Sequence, residues 1–131
     1  MPTWDETREH LRTKYKLMQD DAAWVGLGFN FTIDGKQLTQ RVRVEPRSIG
    51  PIPGLLVWCD VVEATRVPPQ KALERNFAFP IGALAIHQGL IVLMATLPLE
   101  SVIFTTLDLI IENLARDAAV LRDNAPGAAA S

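Results

Sequence analysis

Few residues of this chain belong to the types that perform chemistry, and their spacing limits what they can do. Cys59, Asp60 and His87 are the residues that could suggest nucleophilic catalysis. Cys59 lies inside an apolar run, where burial raises a thiol's pKa and lowers its reactivity, so it reads as a small packed side chain. His87 falls at a turn and His10 on the polar side of a helical pattern, and both read as surface residues. Two histidines so far apart, without spaced partner ligands, carry no metal signal. Asp20, Asp21, Glu112 and Asp117 read as solvated charges with no sign of acid–base pairing. Gly26-Leu27-Gly28 has the first two glycines of a dinucleotide fingerprint, but Phe31 holds the third position and the stretch lies in a strand rather than opening a helix. No catalytic, cofactor-binding or metal-ligating set is assigned, and the chain reads as a non-enzyme. What remains is binding chemistry. Arg41, Arg43 and Arg47 make a small basic patch with Lys36, which reads either as a contact for an acidic client segment or RNA or as a solvated strand face.

The chain that must position these residues has 131 residues, 48% apolar and 21% charged, with a net charge of −2. That is one domain with a sizeable core, and it excludes a disordered chain. A net negative charge argues against a general nucleic-acid surface, because phosphate binding needs a positive excess. One cysteine excludes an internal disulfide framework. The polar, acidic start Met1-Pro2-Thr3-Trp4-Asp5-Glu6 lacks the order of a secretory signal. Breakers from Pro80 to Pro98 interrupt the longest apolar stretch, short of the ~20 apolar residues a membrane span needs. A cytoplasmic protein with no membrane span is expected.

Thr3-Trp4-Asp5-Glu6 reads as a capping box. Trp4, Leu11, Tyr15 and Met18 then form a narrow stripe, and the helix is expected to run to about Asp20 or Asp21. From Trp24 the period becomes two: Val25, Leu27, Phe29, Phe31 and Ile33 form one face of a strand. Asp34-Gly35 is a hairpin signal, since a type I′ turn needs positive φ at both central residues. The return strand carries Leu38, Val42 and Val44 on one face, Arg41 and Arg43 on the other, and meets Pro46. Leu55 to Val62 is a short apolar run, read as a central strand. Pro68-Pro69 opens a short helix that reaches Phe77. Ile81 to Ile86 and Leu90 to Leu97 flank a second hairpin turn at His87-Gln88-Gly89. Thr105-Thr106-Leu107-Asp108 resembles a second cap, and Leu107, Ile110, Ile111, Leu114, Ala118 and Leu121 mark the strongest amphipathic helix. The order α-β-β-β-α-β-β-α implies an α+β fold, an antiparallel five-stranded sheet with helices packed against it. Residues 1–124 form the domain and 125–131 a frayed tail.

This order, with Asn76-Phe77-Ala78-Phe79-Pro80-Ile81-Gly82-Ala83-Leu84, then Gln88-Gly89-Leu90, then Leu97-Pro98-Leu99 before a long last helix, resembles the class I type III secretion chaperones, the Tir-chaperone-like proteins and their YbjN-domain relatives. The resemblance implies a small, acidic, cofactor-free dimer. It also implies a module that holds a client segment in extended form on apolar patches.

A client-holding surface needs exposed apolar side chains and a strand edge that an extended peptide can join. Trp24, out of phase with its strand's apolar set, is a candidate anchor, and Phe29, Phe31, Arg41 and Arg43 complete the candidate client-binding set. The alternative reading makes Phe29 and Phe31 ordinary core beneath the first helix. Surplus apolar surface on the last strands argues for a homodimer, with Leu73, Phe77, Leu55 and Val57 as candidate interface residues; the alternative lets the first helix supply the second cover. Two other functions stay open: a small-molecule site between the sheet and the last helix, and a regulatory subunit of a larger complex.

Overall fold

The computed structural model describes residues 2–125. Helix α1 spans Trp4–Lys14 and starts as its capping box requires: the Thr3 hydroxyl accepts from the Glu6 N–H at 3.1 Å. It ends earlier than the apolar stripe suggests. Tyr15 turns extended, and Leu17–Asp20 becomes a strand, β1. Then follow β2 (Val25–Ile33), β3 (Lys36–Pro46), β4 (Gly54–Glu63), α2 (Pro69–Arg75), β5 (Ala83–His87), β6 (Leu90–Pro98) and α3 (Phe104–Asn124). The sheet is antiparallel with six strands in the order β1-β2-β3-β4-β6-β5, not five. The sixth arises because β2 offers an unpaired edge, and the chain after α1 satisfies part of it.

All three helices lie on one face of the sheet. Leu11 of α1, Ala72 of α2 and Leu107, Ile111 and Leu114 of α3 join one core with Val25, Leu27, Val42, Val44 and Leu93. Leu55 and Val57 belong to this covered face and are fully buried within the chain, so they cannot meet a partner. Between the sheet and the end of the last helix, where the alternative reading put a small-molecule site, this packing leaves a cavity of about 230 Å³ bordered by Val61, Leu84, Ile91 and Leu121. Helix α1 does not supply a second cover, because it joins α3 on the same side. There the Asp108 carboxylate accepts from Lys14 Nζ at 2.9 Å and pairs with His10 Nε2 at 2.8 Å, while the His10 ring stacks on Phe104 at 4.3 Å. Asp108 is therefore no cap: α3 starts at Phe104 after Ile103, without a side-chain cap bond. His10 is likewise an inter-helix contact rather than a free surface residue. Ala125, assigned to the tail, closes α3 through its N–H to the Arg122 carbonyl and packs against the core. The tail residues 126–131 lie outside the described residues.

Pairing between β3 and β4 is short. Only Arg43–Pro46 align with Leu55–Trp58, although β3 begins at Lys36 and β4 continues to Glu63. The distal part of the first hairpin thus leaves the sheet as a two-stranded arm. Arg116 of α3 lies over the Phe31 ring at 5.3 Å, and Lys36 meets Asp123 at 3.4 Å, which hold the arm to the last helix.

Candidate functional site

The face of the sheet turned away from the helices carries the opposite phase of every strand: Trp24, Gly26 and Gly28 on β2 and its lead-in, Arg41 and Arg43 on β3, Trp58 and Asp60 on β4, and Met94 on β6. No helix among the described residues covers it. Gly26 and Gly28 have no side chains to raise, so neighbours fold down onto the strand. A Cβ on Gly26 would sit 3.0 Å from the Trp24 ring, and one on Gly28 2.8 Å from the Met18 sulfur. Larger residues at either position would displace the indole or the thioether.

The Arg43 guanidinium lies 4.1 Å from the centre of the Trp24 ring and 5.6 Å from that of Trp58. Its Nε donates to Glu45 at 2.9 Å, which sets the plane of the stack. Cation–π contacts of this kind contribute about 0.5–2 kcal/mol. Trp58 in turn meets the His87 ring edge-on at 5.7 Å. Since β4 and β5 flank β6, that contact spans β6. The row Trp24–Arg43–Trp58–His87 therefore crosses the sheet from the first hairpin to the second.

Beside this row runs a groove. One part, about 320 Å³, is bordered by Met18, Trp24, Gly26, Arg43 and Trp58. The next, about 600 Å³, is bordered by Lys16, Asn30, Thr39, Gln40 and Arg122. Met18, Arg41 and Asp60 border both, so the two parts are continuous. Volumes of about 300–1,000 Å³ are those of ordinary binding clefts.

Three of the five candidate client-binding residues, Trp24, Arg41 and Arg43, come together here. Phe29 and Phe31 do not. Phe29 reaches the border of the larger cavity, but its ring stacks on Phe31 at 5.9 Å and takes Tyr15 edge-on at 5.5 Å. Both are half-buried and pack against the core. Of the candidate interface residues, Leu73 on α2 is 67% exposed and Phe77, just after α2, is fully exposed. Sequence reasoning missed Trp58, because the apolar run from Leu55 to Val62 hides the phase of β4. It also missed the glycine floor, whose signal was present in two glycines two apart on one strand face. Gln40 and Arg122, far apart in sequence, left no signal.

Of the residues set aside for catalysis, Asp60 borders the groove and His87 meets Trp58 on this face, while Cys59 lies on the other side of β4. Cys59 is buried in the core, and burial pushes its thiol well above the ordinary value. Among the described residues, no group of three or more His, Cys, Asp or Glu is placed to hold a metal ion. No described helix is long and apolar enough to cross a membrane.

The two edges of the sheet differ. At β5, the Asn76 side chain accepts from the Leu84 N–H at 2.5 Å and donates to the Leu84 carbonyl at 3.3 Å, standing in for a neighbouring strand. At the other edge, β1 pairs only with Val25–Leu27, so β2 from Gly28 onward has no outer partner.

Neither a family model nor a curated protein matches the sequence. Solved structures do match the fold. A chain of the HopA1–SchA chaperone–effector complex superposes with a TM-score of 0.58 at 16% identity, over 88% of this chain and 89% of that one. A chain of the ExsC–ExsE complex superposes with a TM-score of 0.64 at 14% identity, over 96% of this chain and 98% of that one. At these identities the likeness is one of fold, and it is the chaperone-like α+β fold that the sequence resembles.

Proposed function

We propose that this protein is a non-enzymatic, chaperone-like module that holds a segment of a client protein in extended form, acting in the cytoplasm as a homodimer. The observation that carries the reading is the open sheet face. Trp24, Arg43 and Trp58 form a rigid aromatic–cationic row beside a groove that nothing in the described chain fills. Two chains of the same fold occur in structures named for complexes, one of them a chaperone–effector complex, which supports the same reading. Stacked Trp and Arg side chains are suited to anchor a partner because they are already ordered before binding. The free edge of β2 beyond Gly28 offers backbone pairing to an extended segment. Kinship with the YbjN-domain proteins belongs to this proposal.

The dimer face is proposed at Leu73 and Phe77, joined by Ile86, which is 56% exposed. Leu73 lies on α2 and Phe77 in the single 3-10 turn that follows it. A two-fold contact centred on them should bury about 800 Å² per partner.

Affinity capture under native conditions, with light scattering of the purified protein, tests the reading. A co-purifying client and a dimeric mass are expected. Trp24→Ala should reduce client recovery with little change in melting temperature, because Trp24 lies over a strand rather than in the core. Monomer alone, with no client recovered, sinks the reading.

A further inference from the structure

The parting of β3 from β4 has a particular chemistry. In a two-residue hairpin the flanking pair Ile33 and Lys36 bond to each other, so Gln37, Thr39 and Arg41 turn their backbone N–H and C=O groups away from β2, toward β4. No strand meets them there, because β4 pairs with β3 only from Arg43 onward. Gln40 stands in the gap instead. Its Nε2 donates to the Asp60 carbonyl at 2.9 Å and to the Arg41 carbonyl at 3.0 Å, and its Oε1 accepts from Arg122 at 2.5 Å. Arg122 also donates to the Thr39 carbonyl. Gln40 is only 3% exposed, and a buried amide is stable only when bonded in this way. One nitrogen thus bridges a carbonyl of each strand, so the Gln40 amide stands where the N–H groups of an intervening strand would be.

The carbonyls of the gap are thus satisfied by side chains, while the N–H groups of Thr39 and Arg41 face the larger cavity without a backbone partner. The cavity's border holds three cations, Lys16, Arg41 and Arg122, against one anion, Asp60. Among the described residues, Lys16 and Arg41 make no ion pair. We propose that this split is a strand-insertion site: an extended client segment with acidic residues at alternate positions enters between β3 and β4 and displaces the Gln40 amide, its own N–H groups taking over the Arg41 and Asp60 carbonyls. Its carbonyls accept from Thr39 and Arg41, and its carboxylates meet Lys16 and Arg41. The inference rests on the client-holding reading and names where, and for what kind of segment, the hold is made. It places the segment inside the sheet rather than on its outer edge.

The test uses the full chain and a blocked peptide of alternating valine and glutamate, about eight residues long, the length of a strand. Residue-resolved hydrogen exchange is measured with and without it, against a matched valine–lysine peptide. Saturable binding of the acidic peptide should slow exchange at Thr39 and Arg41, and the lysine peptide should not do so at the same concentration. Arg41→Glu should weaken binding about tenfold or more, as loss of a charge-assisted contact does, while the melting temperature holds. Protection confined to Gly28, Asn30 and Thr32 would overturn insertion yet leave client holding standing, as addition at the outer edge. No binding of the acidic peptide, or equal binding of both peptides, also overturns insertion; client capture then decides the broader reading separately.

Discussion

The two hairpins of this protein turn in the same way and end in opposite situations. Both use two-residue turns with left-handed residues, Asp34 and Gly35 at φ 51° and 79°, Gln88 and Gly89 at φ 50° and 78°. The second hairpin, β5–β6, is closed: β6 pairs along its length with β4, and Asn76 caps the outer edge at Leu84. The first, β2–β3, is closed only near its base. Its distal half keeps two free edges, one beyond β1 and one facing the split. An identical turn therefore says nothing about how a hairpin is used. The neighbours of its edges decide that, and here they leave pairing capacity on one side of the molecule only.

Core truncations should show the largest contrast. Leu93→Ala, in the closed hairpin and fully buried, should cost about 2–5 kcal/mol in urea unfolding, whereas Ile33→Ala at the tip of the open hairpin should cost about 1 kcal/mol or less. Equal losses would mean that the open hairpin is as integral to the fold as the closed one.

Removing the edge cap comes next. Asn76→Ala leaves the Leu84 N–H and carbonyl without their partner, at about 1–3 kcal/mol, and opens the β5 edge. Exchange at the Leu84 amide should rise toward that of Asn30 and Thr32 on the free edge, and light scattering should show association. An unchanged Leu84 amide would show that the asparagine is not what closes that edge.

Acid should loosen the side of the open hairpin, because α1 sits against it through Tyr15 and Phe29 and is tied to α3 by Asp108. Burial raises the Asp108 carboxyl, but hydrogen bonds from His10 and Lys14 outweigh it and hold the group below the ordinary carboxylate range. A lowered folded pKa contributes stability fully above the unfolded value, near pH 4, and loses it as pH falls through the folded value. Urea midpoints measured downward from about pH 5 should therefore fall less steeply in Asp108→Asn than in the parent chain. Parallel slopes would remove Asp108 from the acid response.

The smallest effect belongs to Arg41. Exposed and without an ion pair among the described residues, its replacement by alanine should shift stability by no more than about 0.5 kcal/mol. A larger loss would make it part of the fold and not of the open face.

Much of this architecture was legible from local pattern. The capping box at Thr3, both hairpin turns, the alternation of β2 and β3 and the apolar stripe of α3 depend on residues close in sequence, where period and turn chemistry are direct physical constraints. The end of α1 was not legible. Trp4, Leu11, Tyr15 and Met18 keep helical spacing, and no glycine or proline marks the stop at Lys14. Only pairing with β2 draws Leu17–Asp20 into a strand.

The candidate site divides in the same way. That Trp24, Arg41 and Arg43 share a face follows from a period of two and a hairpin register. Which face the helices would cover, and so whether Phe29 and Phe31 or Trp24 and Trp58 would stay open, was decided by where α1 and α3 dock. The exclusion of Leu55 and Val57 from any interface was decided there too. The split held by Gln40 and Arg122 joins residues 82 positions apart in the chain. Local periodicity reports which side chains travel together, but only the assembled sheet and helices determine what lies across from them.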